Sequence, residues 1–489
     1  MGIIKVIIVI KNRGGFIMAE TKTAGQKLKE KLFMEDKNGW EELSEAEKKI
    51  VLKFNDGYID FLNASKIERE CVKSAVQLAE KKGFKPLEKF KKLKAGDKVY
   101  TTNRGKNIML AVIGSEPLEN GLNVVGAHID SPRLDLKPNP LYEDSGFAYF
   151  KTHYYGGIKK YQWVTIPLAI HGIVALKDGT NVEVKIGDES DDMTFVITDL
   201  LPHMARKQME KKLSEGIEGE DLNLLLGSIP YDDEKVSEKV KLNILKILNE
   251  KYGIVEKDFI SSELEIVPAF NAKTLGFDRS MVAGYGQDDK VCAYCSLMAI
   301  LETETPKKTA ITLLVDKEEI GSVGNTGMES RAFETFVGEL VHLTGEEKTP
   351  NIIGRIFAHS KMLSADVDGA FDPIYASASE RRNASYFGMG VGLNKYTGAR
   401  GKSGANDANA EFVAELRKLF DDNKVKFQIS ELGKVDEGGG GTIAYILANK
   451  GFDVIDCGTP VLSMHSPYEV TSKFDVYMSY KAYKIFMTK

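Results

Sequence analysis

Glu318 and Glu319 stand side by side in LLVDKEEIGS, immediately after an apolar run. Adjacent carboxylates repel one another unless a cation or a proton separates their roles. The pair is therefore read as a division of labour, one glutamate binding a metal ion while its neighbour, pointing the other way, faces the substrate water as a base. A solvated surface pair is the plain alternative. In GAHIDSPRLD, His128 and Asp130 lie two apart and share a face in extended chain, so the carboxylate can reach the far imidazole nitrogen and fix its tautomer. In GYGQDDKVCAY, Asp288 and Asp289 open a helix; N-capping explains one aspartate there but not two in succession. SADVDGA sets Asp366 and Asp368 just beyond a short apolar run, and PVLSMHSPYE sets His465 in a loop after a strand. Each stretch alone is ordinary loop content. Together they supply imidazole and hard oxygen ligands for two zinc-like ions, which sit about 3.5–4 Å apart when a carboxylate bridges them.

Open α/β sheets present ligands beyond the carboxyl ends of their strands, and the chain has that alternation. A helix from about 288 to 301 is followed by the strand TAITLLVD, a helix near 330, and a short run before SADVDGA. A helix over 407–420, a strand over 425–430, a helix over 442–449 and a strand over 452–456 complete it. Upstream, Ser44–Glu47 and Ser65–Glu68 both read as capping boxes within a helical stretch over 44–84. From about 138 to 278 the texture turns to aromatic and β-branched alternation, with Asp178-Gly179 as a hairpin signal, although 200–252 reads as charged and helical in period. The expectation is an α/β domain in two parts, 1–137 and 279–489, split by a largely β insertion over 138–278.

At 489 residues the chain exceeds what one core usually serves. With 43% hydrophobic and 28% charged residues and a net charge of −5, it has no basic field for nucleic acid. Cys71, Cys292, Cys295 and Cys457 are too few for a disulfide framework and point to a reducing, cytoplasmic setting. Cys292-x-x-Cys295 falls inside a helical pattern and reads as packing. The opening MGIIKVIIVIKNRGGFIM is neither a signal peptide nor long enough to span a bilayer, so no membrane partner is expected; it reads as a leader ahead of a start near Met18. His171, His342 and His359 have no acid near in sequence and read as packing or surface residues. GARGKSG is not a phosphate loop, since Tyr396 stands where its first glycine belongs. Gly438–Gly441 opens a helix, either as an anion cradle or as a close-approach turn.

From about residue 60 onward, GAHIDSPRLD, QDD, VDKEEIGS, SADVDGA and MHSPYE occur in the order that resembles the M18 aminopeptidases, the aspartyl aminopeptidase group of dinuclear zinc exopeptidases. The resemblance implies a three-layer α/β/α zinc-exopeptidase domain interrupted by a β-rich dimerisation domain. It implies two divalent metal ions, zinc first with manganese or cobalt as alternatives: His128 and Asp366 on one, Glu319 and His465 on the other, Asp288 bridging. Glu318 becomes the catalytic base and Asp130 the residue behind His128. LLPHMARK resembles the segment from which the family projects a histidine into a neighbouring subunit's site. His203 is thus the candidate to steady the tetrahedral oxyanion, with a helix cap as its alternative, and a homo-oligomer, a dimer building a dodecamer, follows by analogy. GMGVGLNKYTGARGKSGAND lies where the family recognises the substrate's first side chain. Lys395 is the candidate contact there; Lys395, Arg400 or Lys402 would pair with an acidic side chain, solvated loop charge being the alternative. The implied function is removal of amino-terminal residues from peptides with a free amino terminus. A deacylase or carboxypeptidase of related fold and a non-catalytic assembly protein are the competing readings, separable by blocked peptides and by chelation.

Overall fold

The computed structural model describes residues 22–34, 37–346, 349–402 and 406–489, so the leader reading lies outside the described residues. Among the described residues three sheets form. The main sheet has nine strands, and its centre is four parallel ones, in the order Thr309–Val315, Leu122–His128, Lys361–Ser364 and Asp453–Gly458. Their register sets Val315 opposite His128, and Ser364 opposite both Gly126 and Asp456. The residues just past these strands therefore emerge along one edge.

Every residue of Thr309–Val315 is buried, yet the alternation persists: Ala310 and Leu314 enter one core, Ile311 and Leu313 the other. The first core holds helices Glu45–Ala64, Glu68–Lys81, Gln287–Leu301, Ala410–Asp422 and Lys473–Thr488; the second holds Ala332–Thr344, Ile352–Ala358 and Ala444–Ala448. This is the expected three-layer α/β/α arrangement. The four cysteines are buried and unpaired, with Cys292 and Cys295 packed inside the first core. Among the described residues no helix is long and apolar enough to cross a membrane.

The second sheet is antiparallel, in the order Asn181–Ile186, Leu168–Ala175, Ser262–Pro268, Arg133–Asp144, Phe147–Tyr155 and Asn223–Gly227, over its own core. It is drawn from residues 133 to 268. Position 138 falls inside one of its strands, and 278 falls between Lys273–Leu275 and Met281–Gly284, which belong to the third sheet. That third sheet continues through Glu469–Ser472, Pro460–Leu462 and Asp368–Gly369.

Two local expectations fail. Ser44 and Glu47 form their capping box, but Ser65 instead ends the preceding helix and donates to Ser74 Oγ at 3.0 Å; the next helix starts after Ile67 with no side-chain cap. Over 200–252 the α-helices are Arg206–Met209 and Lys239–Tyr252, with one 3-10 turn at Gly219–Asp221. Asn223–Gly227 instead pairs along Phe147–Tyr155, because its leucines gain a sheet edge and a core that an isolated charged helix lacks.

His171 has acid partners after all, distant in sequence: Nε2 lies 3.1 Å from Asp188 Oδ1 and Nδ1 lies 3.0 Å from Glu70 Oε1. Lys66 completes this buried cluster, donating to Asp188 Oδ1 at 2.7 Å and to the carbonyls of Pro268 and Ala269, both at 2.9 Å. It thereby ties the segment between two helices of the first core to the second sheet. Lys66→Met removes one charge of a buried cluster and takes the lysine donor from the Pro268 carbonyl, while the Ala269 carbonyl keeps the Glu189 N–H at 3.0 Å. It is expected to lower stability by about 3 kcal/mol, read as a drop in the denaturation midpoint.

Candidate metal centre

The main sheet delivers His128 at the end of one parallel strand, Asp366 two residues past the next, and Glu318 and Glu319 three and four past a third. The third sheet delivers the rest. Asp288 follows Met281–Gly284 at the start of the long buried helix, its peptide bond to Asp289 being cis, and His465 occupies the left-handed turn between Pro460–Leu462 and Glu469–Ser472. The two sheets meet at Asp288. Its Oδ1 lies 3.0 Å from His128 Nε2 and its Oδ2 3.1 Å from His465 Nε2. Asp366 Oδ1 lies 3.9 Å from His128 Nε2, and Glu319 Oε2 lies 3.6 Å from His465 Nε2. Two trios result, His128–Asp288–Asp366 and Asp288–Glu319–His465, each with its ligand atoms within 4.8 Å of one another.

Both imidazoles are oriented by their other nitrogen. His128 Nδ1 faces the Asp130 carbonyl oxygen at 3.0 Å and Asp130 Oδ1 at 3.4 Å; His465 Nδ1 faces the Gly157 carbonyl oxygen at 2.9 Å. This orients both rings with Nδ1 outward and Nε2 pointing into the site. Asp130 does more than back His128, because its carboxylate accepts the backbone N–H of Glu318 and of Glu319, each at 3.2 Å, and the Tyr155 hydroxyl at 2.8 Å.

The two glutamates are not parted by strand alternation, as the sequence suggests. The strand ends at Val315, Lys317 is left-handed, and Glu318–Ile320 is one turn of 3-10 helix. Consecutive side chains there diverge by about 120°, and the Asp130 carboxylate caps the turn. Further supports escaped the sequence analysis. Glu469, buried within MHSPYE, accepts the N–H of His465 at 2.8 Å and of Asp288 at 3.1 Å. Asp289 accepts the N–H of His128 at 3.2 Å. Buried Lys290 donates to Ser131 Oγ at 2.6 Å, which in turn donates to the Asp288 carbonyl at 2.8 Å. All four stand inside the quoted motifs, Ser131 in GAHIDSPRLD, Asp289 and Lys290 in GYGQDDKVCAY and Glu469 in MHSPYE.

The electrostatics call for added positive charge. Burial pushes the Glu318 carboxyl up to about 7, with Asp288 and Asp130 acting in the same direction against the two imidazoles. Burial likewise drives Glu319 and Asp366 well above the usual carboxylate range. Among the carboxylates of the two trios Asp288 alone is lowered, since the two imidazoles that face it outweigh its burial. Burial opposes the charge on His465, yet Asp288 and Glu319 raise it to about 10. Asp288 Oδ1 and Glu319 Oε1 are buried without a hydrogen-bond partner. Crowded carboxylates, orphaned oxygens and inward Nε2 atoms suit divalent cations that take nitrogen and oxygen ligands.

A cavity of about 670 Å3 opens over the site. Glu318, Asp366 and His465 line it together with Tyr396, Arg400, Lys402 and Gly438–Gly441. The helix after the glycines begins only at Ala444. Lys395 does not line the cavity: it is exposed at a bend just past the strand Val391–Asn394, between Asn394 and Tyr396, which do line it. Asp368 sits in the wall outside both trios, accepting from the hydroxyls of Ser385 and Ser430. His203 is exposed in a turn and does not line the cavity of its own chain.

Overlapping trios of imidazole and carboxylate at the carboxyl ends of a parallel sheet, under an open cavity, define a metal-dependent hydrolase. Residues 61–487 match the family described as aminopeptidase I zinc metalloprotease (M18), and the chain belongs to that family. A relative from Clostridium acetobutylicum named probable M18 family aminopeptidase 1 is 54% identical over 460 residues, covering 93% of this chain and 99% of its own. The crystal structure of an M18 aminopeptidase from Thermotoga maritima matches with a TM-score of 0.90 at 46% identity, covering 94% of this chain and all of that one. The mApe1 dodecamer of Saccharomyces cerevisiae shares the fold, with a TM-score of 0.71 at 22% identity over 90% of this chain and 97% of that one.

Proposed function

We propose that the protein removes single residues from peptides with a free amino terminus, using two divalent ions, zinc in preference to manganese or cobalt. The observation that carries the reading is Asp288, whose two oxygens each face a different histidine Nε2 at 3.0 and 3.1 Å. His128, Asp288 and Asp366 would hold one ion, and Asp288, Glu319 and His465 the other. Bound there, such a pair supplies Lewis acidity and lowers the pKa of water towards about 7.

Glu318 lines the cavity beside both trios without belonging to either. Its carboxylate takes a proton from the water that attacks the first peptide carbonyl and returns it to the leaving amine, which departs on the same side. Asp130 keeps the Glu318 turn and His128 in register. Arg400, which lines the cavity, meets the substrate's first side chain, and its charge favours an acidic one; Lys402 beside it is already paired with Asp407 at 3.0 Å. His203 reaches a neighbouring subunit's site to steady the oxyanion, which makes a homo-oligomer the working form, as the fold shared with a dodecamer suggests. The second sheet and its core, residues 133–268, form the inserted unit through which subunits pair. Four buried free thiols suit a reducing, cytoplasmic setting.

Chromogenic aminoacyl substrates test this directly. Free amino termini are expected to be hydrolysed and N-acetylated counterparts left intact; chelation should abolish turnover and zinc restore it. Equal hydrolysis of blocked substrates would make the protein a deacylase or carboxypeptidase instead.

A further inference from the structure

The second sheet is more than an attachment to the metal centre, because one of its strands, Phe147–Tyr155, ends against the centre's supports. We infer that the segment Tyr155-Gly156-Gly157 is the positioning element that sets both histidines and the Glu318–Glu319 turn. The inference rests on the aminopeptidase reading for its kinetic consequences and on geometry alone for its effect on metal binding.

Three consecutive residues make three different contacts. The Tyr155 hydroxyl donates to Asp130 Oδ2 at 2.8 Å, and that carboxylate in turn serves the amides of Glu318 and Glu319 at 3.2 Å and His128 Nδ1 at 3.4 Å. The Gly157 carbonyl accepts from His465 Nδ1 at 2.9 Å. Gly156 lies between them at φ 74°, where a Cβ would stand 3.1 Å from Glu319 Oε2 and 3.3 Å from Glu319 Cβ. The segment therefore touches the partner of one trio's histidine, the other trio's histidine, and a carboxylate of that second trio.

Tyr155 is itself held by the second sheet. Arg133 pairs with it across the strand ladder, and its guanidinium lies 3.9 Å from the ring centroid. Arg133 Nε is fixed by Asp135 Oδ1 at 2.9 Å and lies 3.0 Å from Glu265 Oε2. The ring is clamped, so its hydroxyl is a fixed donor rather than a searching one, and Asp130 meets its three dependants without reorganising.

Tyr155→Phe deletes one oxygen and keeps the clamp. At saturating zinc it is expected to lower kcat about tenfold with KM within about twofold, and zinc affinity, measured by competition with a chromophoric chelator, should weaken about tenfold. In an Asp130→Asn background the same substitution should have almost no further effect, because both act through one carboxylate. A merely structural tyrosine would lower the melting temperature and add its effect to that of Asp130→Asn. Gly156→Ala is expected to weaken the ion shared by Glu319 and His465 more than its neighbour, which appears as two separated steps in the zinc titration. Wild-type zinc affinity in both Tyr155→Phe and Gly156→Ala, or full additivity with Asp130→Asn, would overturn the inference. A wild-type protein that binds zinc yet cleaves no peptide would defeat the aminopeptidase reading while the zinc titrations still decide this one.

Discussion

Glu318→Gln is expected to retain its full metal content and lose about 10³-fold in kcat, within the 10²–10⁴ that a positioned general base contributes. The substitution is nearly isosteric, and the backbone N–H of residue 318 keeps its 3.2 Å bond to Asp130, so the turn that presents Glu319 is undisturbed. What disappears is the proton acceptor beside the two trios, while the amide that replaces it fills the same space. Metal content by atomic emission and kcat on an aminoacyl chromogenic substrate check the two halves separately. Turnover within threefold of wild type would remove Glu318 from the mechanism, and loss of an ion would make it a ligand.

Asp288→Asn carries the second large effect. Asparagine keeps one acceptor oxygen where the aspartate offers two, and it removes the negative charge that both trios share. Metal stoichiometry should fall below that of wild type, and activity by about 10³-fold, corresponding to about 4 kcal/mol of lost electrostatic stabilisation. The pH dependence of metal binding gives the same interaction a sign. In the folded protein the His465 imidazole is raised to about 10, because Asp288 and Glu319 outweigh burial, and His128 is raised well above its usual value by Asp130 and Asp288. A metal ion must displace the Nε2 protons, so apparent zinc affinity should rise between pH 6 and pH 8, by up to about tenfold per unit for each proton released. In Asp288→Asn the protons are held less tightly, and the slope should flatten. Equal zinc affinity at the two pH values in wild type would contradict the arrangement.

The site's chemical inventory was legible for a local reason. A strand that ends in a polar residue declares itself within a few positions, and His128, Asp288, Glu318, Glu319, Asp366 and His465 all follow short apolar runs or open a helix. The alternation of helices and strands behind them was equally local, and it led to the layered fold. Lys395 shows the limit of such reading: it stands one position from two residues that line the cavity, but the chain bends there, at the end of a strand, and leaves its side chain exposed. The glutamate pair shows another. Two acids after a strand were visible, but the left-handed Lys317 and the capping carboxylate of Asp130, nearly two hundred residues away, were not.

The amino-acid order alone determined which groups are available and that they stand at the ends of buried strands, since hydrophobic periodicity and its interruption are properties of neighbouring residues. Which groups meet was decided only by the tertiary structure. His128 and Asp366 come together because parallel strands align Val315, His128 and Ser364 within two positions of one another. Asp288 and His465 are brought to them by a different sheet, and Tyr155 and Gly157 by yet another. Register between strands far apart in sequence is set by packing both faces of a sheet at once, and that balance is struck over the whole chain rather than within any stretch of it.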